Sequence, residues 1–178
     1  IVFLSIIKLI MTVNLPIYVR DNIGADEYLM LQMSENLVKG DWLGPYTWLI
    51  LTKGIVFPIF LALAYKIGIS YLFSIGLYYI LASYIALCVI KKLTKNKIVH
   101  LIFFVIILFN PVSFDNNIQL VYRNALTAPQ SILLISTLML TYFALKEDNN
   151  KKIIFWSLFS SITSLRSSPV SLTEVKFL

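Results

Sequence analysis

The sequence has one cysteine, one histidine and few charges. The lone Cys88 lies in an apolar run, which excludes an intrachain disulfide and a cysteine-built metal cluster. There is no phosphate-cradling glycine loop, no nucleophile elbow, no zinc-ligand spacing, no internal repeat and no low-complexity tract. His100 has no second ligand nearby. The deficit of charge carries the most information. Soluble domains are typically below half apolar and about a quarter charged, whereas this chain is 58% apolar and 13% charged, with a mean hydropathy of +0.81. The composition predicts an integral membrane protein. The net charge is +6, but the aromatics interleave with apolar runs and not with lysines. The basic balance therefore reads as a cytoplasmic charge excess, and nucleic acid is excluded as a partner.

What is present is a series of long apolar runs. The first covers about residues 1–19, with Lys8 and Asn14 as interruptions and Pro16 near its far end. Gly54 to Ile90 then runs for 37 residues with one charge, Lys66. As one helix it would be about 55 Å long, too long for a bilayer core of about 30 Å and too poor in loop residues for two crossings. Gly54, Pro58, Lys66 and Gly68 divide it into an interfacial or partly inserted helix and a clean span, about 71–90. Further spans are expected at about 98–109, 124–145 and 153–165. The tyrosines Tyr78, Tyr79 and Tyr84 read as helix packing. The fold class expected is all-α: a single polytopic transmembrane bundle, 1–178, with juxtamembrane amphipathic helices in a first outer loop, 20–70.

Loop charges give the expected orientation. Lys91–Lys97 and Lys146–Lys152 hold seven lysines, whereas Arg20–Lys53 and Asn110–Arg123 hold four basic residues against six acids. The positive-inside rule puts the lysine loops and the N-terminus in the cytoplasm. Segment 20–53 is then extracytoplasmic, as in a bacterial plasma membrane protein. A second crossing between Gly54 and Ile90 would reverse this.

The outer segment is patterned. From Asp26 to Lys39, Leu29, Met33 and Leu37 recur at helical spacing, Met30 and Val38 widen the stripe, and Gly40 supplies a stop. Trp42, Tyr46 and Trp48 follow, as suits the headgroup level. The pattern predicts a helix lying on the outer leaflet with Asp26 and Glu27 in its first turn. Two explanations of these acids stand side by side. Asp26 can cap the helix and Glu27 complement its dipole, worth roughly 1 kcal/mol together. A carboxylate held just above the membrane can also meet the reacting carbon of a lipid-linked substrate.

The stretch "ADEYLMLQMSENLVKGDWLGPYTWLILTKGIVFPIFLALAYKIGI", between a first span and one ending in lysines, resembles the C-class membrane glycosyltransferases, which include protein O-mannosyltransferases and lipid A aminoarabinose transferases. The likeness covers roughly Pro16 to Leu145. Lys53-Gly54-Ile55 departs from it in lacking the proline usual directly after this turn. The resemblance implies an enzyme, in its intact form, that moves a sugar from a polyprenyl-phosphate donor to an extracytoplasmic acceptor (glycan, lipid or protein) with inversion. It implies Asp26 as catalytic base and Glu27 as its support or as a ligand for a divalent cation, with no other cofactor. Asp21, beside Arg20, is a third acid of interest. Membrane lipid is the remaining partner. A donor with a phosphate leaving group needs no general acid, so one positioned carboxylate suffices to deprotonate the acceptor hydroxyl. Glycoside hydrolases, by contrast, use two.

Arg123 and Tyr122, in "LVYRNAL", are candidates for holding the lipid phosphate, since a guanidinium fork suits phosphate oxygens. Arg123 equally suits a snorkelling interfacial role. Lys66 has the same two explanations. The chain opens on Ile1 within an apolar run and ends on "SSPVSLTEVKFL". Those ends suggest an N-terminal fragment, inactive alone. A transporter or flippase fragment, or a non-catalytic truncated membrane protein, is the alternative.

Overall fold

In the computed structural model the described residues are 1–17, 25–42, 44–45, 54–115 and 121–164, the side chains of Ala25 and Asp26 excepted. Their regular structure is entirely helical. Seven α-helices follow in order: α1 (Val2–Val13), α2 (Ala25–Lys39), α3 (Val56–Ile67), α4 (Tyr71–Leu93), α5 (Lys97–Leu108), α6 (Asn124–Lys146) and α7 (Asn150–Ser164). A short 3-10 turn, Pro111–Phe114, follows α5. The all-α architecture expected from the sequence is what is found.

Local chemistry sets the boundaries. Ser70 caps α4 by accepting from the Phe73 N–H at 3.3 Å, and Asn96 caps α5 by accepting from Ile98 at 2.9 Å. Gly68 ends α3 in the left-handed conformation that glycine takes without strain. The first expected span is shortened. Helix α1 stops at Val13 and not at Val19, because the Asn14 side chain donates back to Ile10 O at 2.7 Å and Pro16 follows. Twelve residues rise only about 18 Å.

Helix α4 is central, with α1, α5 and α6 packed on it, while α7 packs on α6 and α2 packs on α3. Gly76 lets α1 approach closely, since a Cβ there would lie 2.9 Å from Leu9 Cδ1. The Tyr84 and Phe104 rings lock α4 to α5 at 5.3 Å. Three helical segments, Tyr71–Leu93, Lys97–Phe114 and Asn124–Lys146, are long and apolar enough to cross a membrane.

Side-chain links show which ends lie together. The Lys92 ammonium pairs with Glu147, joining the C-terminal ends of α4 and α6, and Lys152 reaches the same carboxylate at 3.2 Å. Gln130 donates to Thr163 O at 3.1 Å, joining the start of α6 to the end of α7. Lys8 donates to Ser113, joining α1 to the 3-10 turn. The lysine-bearing connections thus gather at one end of the bundle. The starts of α4 and α6, with α2 and α3 against them, form the other. Helix α3, at about 18 Å, is shorter than a bilayer core of about 30 Å.

Candidate functional site

The end away from the lysines is floored by one apolar cluster. Met30 of α2, Phe57 of α3, Ile75 and Tyr79 of α4, and Ala125 and Leu126 of α6 are its buried members. Tyr71, Val121 and Tyr122 pack against it. Helices α2, α3, α4 and α6 thus meet at one apolar floor.

Helix α2 supplies the acids. Asp26 and Glu27 are its second and third residues, in the first turn, where the helix dipole favours negative charge. They sit one step inside the helix, so Asp26 is a first-turn residue and not its cap. The Asp26 side chain lies outside the described residues. Glu27 is half-buried, one turn before Met30, which drops into the cluster. The expected stripe is present with a shifted centre. Met30, Met33 and Ser34 are buried, Leu29, Leu37 and Val38 are half-buried, and Gln32, Glu35 and Lys39 face outward. Glu35 and Lys39 pair at 2.6 Å, and that carboxylate holds the Lys39 ammonium above the usual lysine range. Gly40, at φ +93°, ends the helix as the sequence indicates.

Arg123 stands at the N-cap of α6 with its guanidinium over the Tyr122 ring at 5.3 Å. The Tyr122 ring rests on the cluster that holds Met30. The structure therefore brings the second turn of α2 and the start of α6 to one floor. Lys66 is not gathered there. It is exposed in the last turn of α3, about 13 Å along the helix from Phe57. Trp42 is exposed, whereas Tyr46, Trp48, Arg20 and Asp21 lie outside the described residues. No group of three or more His, Cys, Asp or Glu side chains comes together among the described residues. His100 donates its Nε2–H to Thr94 O at 2.8 Å, a local tie at the lysine end.

One cluster was not foreseen from the sequence. Lys8, mid-way along α1, is fully buried. It donates to the Ser113 hydroxyl, and its Nζ lies 3.7 Å from the Phe114 ring centroid and 5.1 Å from that of Tyr79. Burying a lone ammonium costs several kcal/mol, which two cation–π contacts of about 2 kcal/mol each offset in part. The signal that could have found it is periodic. Ser5, Lys8 and Thr12 recur at i, i+3 and i+7, and all three are buried. Tyr79, placed with helix packing by its spacing, belongs both to this cluster and to the floor beneath α2.

Comparison with protein-family models, with curated proteins and with solved structures finds no match to this chain.

Proposed function

We propose that this chain belongs to a membrane glycosyltransferase that takes its sugar from a polyprenyl-phosphate donor. One observation carries the reading. The helix bearing both acids is folded onto the bundle end opposite the lysines, and it shares its apolar floor with the Tyr122–Arg123 start of α6. By charge asymmetry that end is extracytoplasmic.

In this reading Asp26 takes the proton from the acceptor hydroxyl as its oxygen attacks the sugar carbon. The bond to the phosphate oxygen breaks on the opposite face, so the configuration inverts, and the phosphate leaves without protonation. Glu27 supports Asp26. Arg123, held over Tyr122, meets the charge that develops on the leaving phosphate. Lys66 has no part in that contact, and its exposed place in the last turn of α3 suits snorkelling.

The test is Asp26→Asn in the full-length protein in native membranes, supplied with a radiolabelled polyprenyl-phosphate sugar. Transfer should fall about 10²- to 10⁴-fold with expression unchanged, and unimpaired turnover would refute the reading. Exposed Gln32, changed to cysteine, should react with an impermeant thiol reagent from outside intact cells. Ser34, polar in sequence but buried in the structure, is unsuited to that probe.

A second reading, membrane transport, is favoured by a single observation, the buried ammonium of Lys8, since ionisable groups inside spans mark ion and substrate paths. Lys8 has aromatic neighbours on two sides and one hydroxyl, and no chain of polar groups leads from it across the bundle among the described residues. The glycosyl-transfer reading is therefore preferred.

A further inference from the structure

The donors and acceptors around Lys8 do not balance. An ammonium has three N–H donors. One goes to Ser113 Oγ, whose own proton is committed to Asn110 O at 2.6 Å, so Ser113 can only accept. The remaining ammonium donors meet no oxygen or nitrogen among the described residues, only the faces of Phe114 and Tyr79. Tyr79 adds another donor. Its hydroxyl is buried and has no hydrogen-bond partner. Buried donors with no acceptors are uncommon in folded proteins, and here the ring that carries one lies 5.1 Å from an ammonium with no carboxylate partner among the described residues.

We infer that Lys8 and Tyr79 form an oxyanion-binding site, closed by the Ser113–Phe114 turn, whose ligand is a phosphate group. The missing acceptors and the missing negative charge specify the same thing. A water molecule would accept hydrogen bonds but leave the charge uncompensated, and a metal cation would be repelled. A phosphate oxygen supplies both. The turn over Lys8 lies at the surface: Pro111 and Val112 are exposed while Ser113 is buried. That turn follows α5 at the bundle end away from the lysines. A free phosphate in water and a phosphate head group in the outer leaflet could each reach it.

This inference does not depend on glycosyl transfer, and Asp26→Asn should leave it intact. The experiment uses the full chain in nanodiscs of digalactosyldiacylglycerol, a bilayer lipid that carries no phosphate, with thermal unfolding followed as inorganic phosphate or dodecyl phosphate is added. Stabilisation by both probes identifies a general phosphate site. Stabilisation by dodecyl phosphate alone identifies a head-group site reached from the bilayer, and by inorganic phosphate alone a site reached from water. Stabilisation by neither overturns the inference. Lys8→Met should weaken binding more than tenfold, as expected for loss of a charge-assisted hydrogen bond. Without phosphate it should unfold at or above the wild-type temperature, because it removes a buried charge that lacks an anion. A Lys8→Met protein that binds as wild type does, or that is clearly less stable without phosphate, would make Lys8 a packing cation and overturn the site. Tyr79→Phe keeps the ring and removes only the hydroxyl. It should weaken binding roughly threefold to tenfold, and unchanged affinity in this variant would likewise count as refutation.

Discussion

Helices α1 and α2 are of similar length, and each has one polar and one apolar face, yet they bury opposite ones. In α2 the buried residues include Met30 and Met33, while Gln32, Glu35 and Lys39 face out. In α1 the buried residues are Ser5, Lys8 and Thr12, while Val2, Phe3, Ile6 and Ile10 are exposed, Phe3 to 72%. In water the second arrangement would be unfavourable twice over. It would forgo about 1.5–3 kcal/mol for each large apolar side chain left outside, and it would bury an ammonium. Surrounded by hydrocarbon, the first term vanishes and the second reverses, because the outward side chains are solvated by lipid and the polar ones must turn inward to find partners. The pair of helices therefore indicates where hydrocarbon ends and water begins more sharply than composition does.

The largest effects should come from reversing each face. Met30→Ala removes a fully buried side chain from the floor where four helices meet and should cost about 2–5 kcal/mol in detergent unfolding. The adjacent, exposed Leu31→Ala should stay within about 0.5 kcal/mol. Equal losses would mean that α2 is buried on both sides and that the contrast with α1 is false.

A cation on the outward face of each helix separates the two more directly. Ile10→Lys places charge on the exposed face of α1 and should cost up to about 2.5–3.5 kcal/mol of membrane insertion, the upper bound being the cost at a span centre. Leu31→Lys on α2 should insert as well as wild type. The measurement is the fraction of each protein that resists carbonate extraction from membranes. If Ile10→Lys behaves like Leu31→Lys, α1 faces water and the hydrocarbon boundary must be redrawn.

Much of this architecture was legible in the sequence. Helices α4 and α6 announce themselves by length, and α3 by Gly54 and Gly68 on either side of it and Pro58 in its first turn. Where α2 ends follows from Gly40. What escaped is the meaning of Lys8. A lone lysine in an apolar run has two solutions, snorkelling outward or facing inward, and hydropathy averages over both. The choice was made by distant groups, since Ser113 and Phe114 lie more than a hundred residues further on and only the packing of α5 brings them to α1. The same holds for the candidate site. The position of Asp26 and Glu27 in a first turn follows from local pattern. Their sharing a floor with Tyr122, and the distance of Lys66 from it, follow from how α2, α3 and α6 stack. The shortening of α1 was recoverable, because Asn14 and Pro16 are visible terminators that the apolar run obscured.

The smallest effect belongs to the lysine end, and it sharpens the comparison by differing in kind. Lys92 and Lys152 beside Glu147 hold its carboxyl below the usual carboxylate range, with the hydrogen bond from Lys92 as the larger cause. Its folded value is therefore below its unfolded one. The stabilisation is fully present above the unfolded value and is lost as pH falls through the folded one. The stability difference between wild type and Glu147→Gln should be constant from neutral pH down to the ordinary carboxylate range and vanish on further acidification. Because these groups are exposed, the difference should be small and should shrink with added salt. The Met30 and Ile10 effects should ignore salt, since they arise from packing and from hydrocarbon. A salt-insensitive Glu147 pair would place that end of α4 and α6 away from water and undo the assignment of the lysine connections to the aqueous surface.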